Sequence, residues 1–256
     1  MDVVIPVVGG LFAWWFGTGL LFVLARASNR SDPSALMAGA TVVALAAGVA
    51  VLALRPVDTP VGAATGFAMA VLLWGWHEFA FLSGVVTGPE RRPCPPQLQG
   101  WARFRFGFAS VSHHELALAA TVAILGVASW GAANPSAFLA FAVLWAMRIS
   151  AKLNLFFGVP FPNRHLFPPR LQHLSALVPQ RRPGSFYWGS MVAITTATVA
   201  LFMAAASAGT GADRVTFLLA GTLAALAVLE HLAMVIPLRL EGLWGLEGEE
   251  STGQVG

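Results

Sequence analysis

Charge is what this sequence has least of. Only 11% of its 256 residues are Asp, Glu, Lys or Arg, less than half of the roughly 25% that soluble domains carry. That scarcity excludes a water-facing surface over most of the chain. Cysteine occurs once, as Cys94, which excludes an internal disulfide and any Cys-rich metal centre. Lysine also occurs once, as Lys152, against 14 arginines. Most of those arginines sit in short breaks between apolar blocks, so the isoelectric point near 10.0 is topology information and excludes a nucleic-acid partner.

What the chain has in quantity is apolar sequence, 57% of all residues, with a mean hydropathy of +0.71. The apolar blocks run over 4–25, 34–54, 61–86, 107–130, 137–158, 186–207 and 215–237. Each is long enough to cross a hydrocarbon core about 30 Å thick. Breaks such as Arg55-Pro-Val-Asp-Thr-Pro60 and Ala132-Ala-Asn-Pro-Ser136 separate them. The first block follows an acid, Asp2, and lacks a small-residue cleavage site, so it reads as a retained helix rather than a signal peptide. The expected fold is an all-α, polytopic integral membrane bundle of about seven transmembrane helices. One transmembrane domain covers 1–240, and 241–256, with Glu247 to Glu250, forms a flexible acidic cytoplasmic tail. Ala, Gly, Ser and Thr are dense in the second, sixth and seventh blocks, as expected of surfaces where helices approach closely in lipid.

Arginine placement orients the bundle. The breaks after blocks one, three and five, with the tail, hold Arg26, Arg30, Arg91, Arg92, Arg103, Arg105, Arg164, Arg170, Arg181, Arg182 and Arg239, 11 in all, against Arg55 and Arg214 on the other side. This asymmetry puts the amino terminus in the periplasm and the carboxyl terminus in the cytoplasm.

Ionisable groups near the centre of an apolar span cost about 2.5–3.5 kcal/mol each. Five such groups lie within the blocks: Glu78, Glu115, Arg148, Lys152 and Glu230. His77, His113, His114 and His231 stand beside the three acids. At 1.5 Å per residue, the direction of each helix puts all of them in one slab about 8–15 Å below the cytoplasmic boundary. They are therefore expected to meet, with at least one of the three Glu contacting Arg148.

Three chemistries suit such a cluster. The first is a buried polar network of ion pairs and hydrogen bonds around Arg148, Lys152 and Asn154. The second is a ligand pocket in which one of His77, His113, His114 or His231 is axial ligand to a tetrapyrrole lying among Trp74, Trp76, Phe79 and Phe81. The third is a divalent metal centre drawn from His77, Glu78, His113, His114, Glu115, Glu230 and His231, acting as an oxidoreductase on an isoprenoid or a tetrapyrrole. Adjacent His-Glu pairs diverge by 100° around a helix, unlike the Glu-x-x-His of di-iron bundles. Arg148 and Lys152 share a face at i,i+4. His165 and His173, in the proline-rich segment with Pro160, Pro162, Pro168 and Pro169, read as solvated or interfacial. Cys94 is flanked by Pro93 and Pro95, with Arg91 and Arg92 able to lower its pKa, but a lone loop thiol is usually inert.

Trp74-Gly-Trp-His-Glu78, Gly88-Pro-Glu-Arg-Arg-Pro-Cys-Pro-Pro96, His113-His-Glu-Leu-Ala-Leu118, Met147-Arg-Ile-Ser-Ala-Lys-Leu-Asn154 and Gly158-Val-Pro160 together resemble the PuhE family of photosynthetic complex assembly proteins. The likeness runs from Trp14-Trp15 to Glu230-His231, and departs where Phe161-Pro-Asn-Arg-His165 follows Pro160. It implies a membrane assembly or regulatory factor for the photosynthetic reaction centre and light-harvesting complex that influences bacteriochlorophyll production or delivery. The implied partners are their subunits or the enzymes of bacteriochlorophyll synthesis, and the implied ligand is bacteriochlorophyll or a precursor. It supplies no catalytic residues.

Overall fold

The computed structural model describes residues 2–30, 32–164 and 167–237. Within them the architecture is all-helical: α1 Val4–Arg30, α2 Ser34–Leu54, α3 Pro60–Leu82, α4 Gly100–Ser129, α5 Ser136–Phe157, α6 Ser185–Ser207 and α7 Ala212–Ala233. A 3-10 helix, Pro169–Leu177, lies between α5 and α6. Among the described residues the β structure is a single isolated bridge between Val159 and Gln180. His165 and the acidic tail from residue 241 lie outside the described residues.

Six of these helices are long and apolar enough to cross a membrane by length and composition. The helix outside that set is α3, whose 23 residues give it the same reach. Its second half carries Trp74, Trp76, His77 and Glu78, and that polarity is what separates it from its neighbours. Element boundaries also differ from the apolar blocks. The third helix ends at Leu82 and not at 86, because Gly84 turns left-handed at φ 72°. Val85 N then donates to Ala80 O and Gly84 N to Phe81 O, the pairing that closes a helix on a glycine. Helix α4 begins at Gly100 and not at 107. Its first two turns, with Trp101, Arg103 and Arg105, are too polar for a hydropathy reading but suit an interface.

The centre of the bundle is formed by α3, α5 and α7, each packed on the other two. Phe67 and Ala70, Ala140 and Phe141, and Leu219, Ala220, Leu223 and Ala224 supply its core. The small residues of α7 are buried as expected. Most of those of α2 and α6 are not: α2 buries only Ala44, Ala47 and Val51, and α6 only Tyr187, Ile194 and Ala205. Close approach on one face is enough to seat a peripheral helix, so the remaining small side chains look outward.

Long-range hydrogen bonds define the two ends. At one, Arg170 donates to Ser28 O (3.0 Å) and Ser83 O (2.9 Å), joining the ends of α1 and α3. Arg103 donates to Phe156 O and Leu177 O there. At the other, Asn134 N donates to Arg55 O. The first, arginine-rich end is the one nearer the costly residues.

Candidate functional site

Helix α5 is the hub of the polar cluster. Arg148 Nη2 donates to Glu78 Oε2 of α3 at 3.0 Å. One turn on, Lys152 Nζ pairs with Glu115 Oε1 of α4. Both cations thus have the carboxylate partner that their shared face demands. Two unit charges about 4 Å apart at an effective dielectric of ~20 attract by about 4 kcal/mol, which offsets most of the insertion cost of about 3 kcal/mol per ion. Glu230 stands apart: its residue is exposed on α7, and its charge acts on Arg148 and Glu78 from a distance without an ion pair among the described residues.

The four histidines do not share a pocket. His77 Nε2 lies 2.9 Å from Thr121 Oγ1 on α4. His231 is fully buried and bonded at both nitrogens, Nδ1 donating to Ala227 O (2.8 Å) and Nε2 meeting Ser150 Oγ (3.0 Å). His114, also fully buried, stacks on Phe81 with ring centroids 4.5 Å apart. Its Nε2 stops 3.9 Å from Glu78 Oε1, too long for a hydrogen bond. Consequently Glu78 Oε1, both nitrogens of His114 and Arg148 Nε are buried with no hydrogen-bond partner. His113, 100° round the helix, is exposed, on an outward stripe with Leu116, Ile124 and Val127.

The aromatic residues are likewise divided. Trp74 packs edge-on to Phe141, while Trp76 Nε1 donates to Thr41 Oγ1 of α2 at 2.9 Å. Phe79 and Phe81 are buried, so a macrocycle seated among these four rings would have to displace core packing. The interior histidines are occupied or enclosed, and His113 alone of the four is free to approach a planar ligand.

A non-helical segment reaches this level from the arginine-rich end. Thr87 O accepts from His114 N (3.0 Å), and Glu90 N donates to Ala109 O (3.4 Å). These contacts graft the segment onto the backbone of α4 beside His113 and His114. Irregular backbone at such depth is tolerated where protein buries it, and Thr87 and Gly88 are both buried.

Residues 1–253 match a family described as "Protein of unknown function (DUF3623)". The chain belongs to the DUF3623 family. A relative from Rhodobacter capsulatus, described as an uncharacterized 30.4 kDa protein in the puhA 5' region, is 37% identical over 237 residues, covering 91% of this chain and 86% of its own. No solved structure matches.

In this DUF3623 protein the acids and histidines offered as metal ligands form no group of three or more able to hold an ion, among the described residues. The physical reason is that Glu78 and Glu115 are committed to Arg148 and Lys152, while His77 and His231 face hydroxyls. Asn154 is bonded apart from the Arg148 and Lys152 pairs, its Nδ2 donating to Ser150 O and Ser190 Oγ. Ser150, Thr121 and Tyr187 escaped the sequence reading. Tyr187 is the lone tyrosine and is buried, its hydroxyl donating to His231 O at 3.0 Å. A buried Tyr needs such a partner, but hydroxyl residues are too common in lipid-embedded helices to single out. Cys94 differs from its sequence reading in one respect, the arginine that acts on it. It is buried in a cluster with Phe81, Leu171 and Leu174, and desolvation raises its thiol pKa, opposed by Arg103 and not by Arg91 or Arg92.

Proposed function

We propose that this protein is a multi-pass, non-catalytic assembly or regulatory factor of the photosynthetic membrane, with His113 presenting a metallated tetrapyrrole, bacteriochlorophyll or a precursor, to partner proteins. The observation that carries the photosynthetic reading is the relative encoded in the puhA 5' region, in line with the PuhE-like motifs. The geometry supports a holding role over a catalytic one. Arg148 and Lys152 each have a carboxylate partner, and of the two α4 histidines His113 is the one on the outer face, one turn from the exposed Leu116. An imidazole in an apolar surround gains by ligating a metal, and the apolar stripe suits the macrocycle edge. Reaction-centre or light-harvesting subunits, or enzymes of bacteriochlorophyll synthesis, are the partners that would take or supply it.

Purification from a pigment-making host should give a tetrapyrrole absorption band that copurifies with the protein. His113→Ala should remove the band without lowering yield, while His231→Ala should lower yield. A pigment-free wild type would overturn the presenting role.

The same reading puts seven helices, α3 included, across the membrane, with the arginine-rich end in the cytoplasm and the amino terminus in the periplasm. A periplasm-only reporter should be active when fused at Asn134 and silent at the carboxyl terminus. Activity at the terminus would reverse the orientation.

A further inference from the structure

At the arginine-rich end a cavity of about 330 Å³ is lined by Gly84, Thr87, Arg91, Arg170 and His173. It belongs neither to the ion-pair cluster nor to the His113 face. We propose that this cavity is an oxyanion site that takes a phosphate group at the membrane boundary.

Its lining holds two guanidiniums and an imidazole and no carboxylate. Arg170 is fixed in place, since its two terminal nitrogens already donate to Ser28 O and Ser83 O. A guanidinium carries five N–H donors, so three remain for a ligand. Arg91 is tethered by a long contact, 3.4 Å, from Nη2 to Gly84 O. Neither arginine has an ion-pair partner among the described residues. Two acids act on the lining residues, and both are already engaged. Glu90 is chelated by Arg92 at 2.7 and 3.0 Å, and that bond holds its carboxyl down at about 2. Asp32 spends both oxygens on the backbone and hydroxyl of Ser34, and Arg170 acts on it only at a distance.

His173 adds an independent sign. Its Nε2 is buried without a partner, and the backbone of Arg170 favours the protonated ring. Burial first, then Arg91, depress its pKa. An unpartnered buried nitrogen beside Arg91 is poorly served, and an arriving oxyanion would favour a protonated ring, which makes Nε2 a donor. Two planar guanidiniums and an imidazolium are a donor set suited to phosphate. The cavity lies where α1 and α3 end, so the phosphate can belong to a lipid headgroup or to a soluble phosphorylated compound.

The full chain in detergent, titrated with inorganic phosphate at constant ionic strength, should gain thermal stability saturably. Arg91→Gln, at an exposed position, should weaken the apparent affinity at least tenfold, and His173→Gln should weaken it further at pH 6 than at pH 8. In a parallel arm, phosphatidylglycerol and phosphatidylcholine nanodiscs are compared for protection of wild type and Arg91→Gln. Protection by free phosphate alone assigns a soluble ligand, and protection by phosphatidylglycerol alone assigns a lipid headgroup. No saturable effect in either arm, or equal effects in wild type and Arg91→Gln, overturns the site.

Discussion

Replacing Arg148 by Met is expected to destabilise the protein by about 3–5 kcal/mol, the cost of leaving one partner of a buried ion pair uncompensated. The partner left behind is Glu78, whose side chain is only 6% exposed. Its second oxygen has no hydrogen bond to fall back on, since His114 Nε2 stays 3.9 Å away. Glu78→Gln in the same chain should restore most of the loss, because a neutral amide no longer needs the guanidinium. The thermal midpoint in detergent and the fraction of protein retained in membranes both read the effect. A double mutant no more stable than Arg148→Met alone would show that the guanidinium acts through packing and not through Glu78. Lys152→Met should follow the same pattern more weakly. Glu115 has 15% of its side chain exposed against 6% for Glu78, so the carboxylate left behind is less enclosed by the protein.

That comparison also shows what a one-dimensional reading can reach. The meeting of α3, α4 and α5 was legible because charge is costly in lipid: Glu78, Glu115, Arg148 and Lys152 could be tolerated only by pairing. The i,i+4 spacing of Arg148 and Lys152 fixed their shared face, and the pairing of each with a carboxylate followed. The histidines were less legible. Their neighbours Ser150 and Thr121 carry no charge, so nothing in the sequence says that His231 and His77 are already satisfied. The separation of His113 from His114 was foreseen from the 100° step, but which of the two would face inward depended on helix packing. Boundaries failed where backbone and interface chemistry rule, at the left-handed Gly84 and in the polar first turns of α4.

The least legible contact has a large expected effect. Gly88 was one letter in a proline-rich motif, yet a Cβ there would stand 2.0 Å from Ala109 O, 2.7 Å from Ser110 C and 2.8 Å from Val111 N. All three atoms belong to the backbone of α4 and cannot swing aside as a side-chain tip would. Gly88→Ala should therefore push the segment off the helix, and cost about 3 kcal/mol, the upper part of the overpacking range. Undocking would break Thr87 O from His114 N and Glu90 N from Ala109 O, leaving buried backbone groups unpaired. Because Thr87 and Arg91 flank Gly88, the oxyanion cavity should open with it, while the Arg148–Glu78 pair, held by α3 and α5, should persist. Amide hydrogen exchange separates the two: protection should fall over residues 86–91 and 109–114 and stay near wild type over 144–152. Unchanged exchange in Gly88→Ala would mean that the segment does not seat against α4.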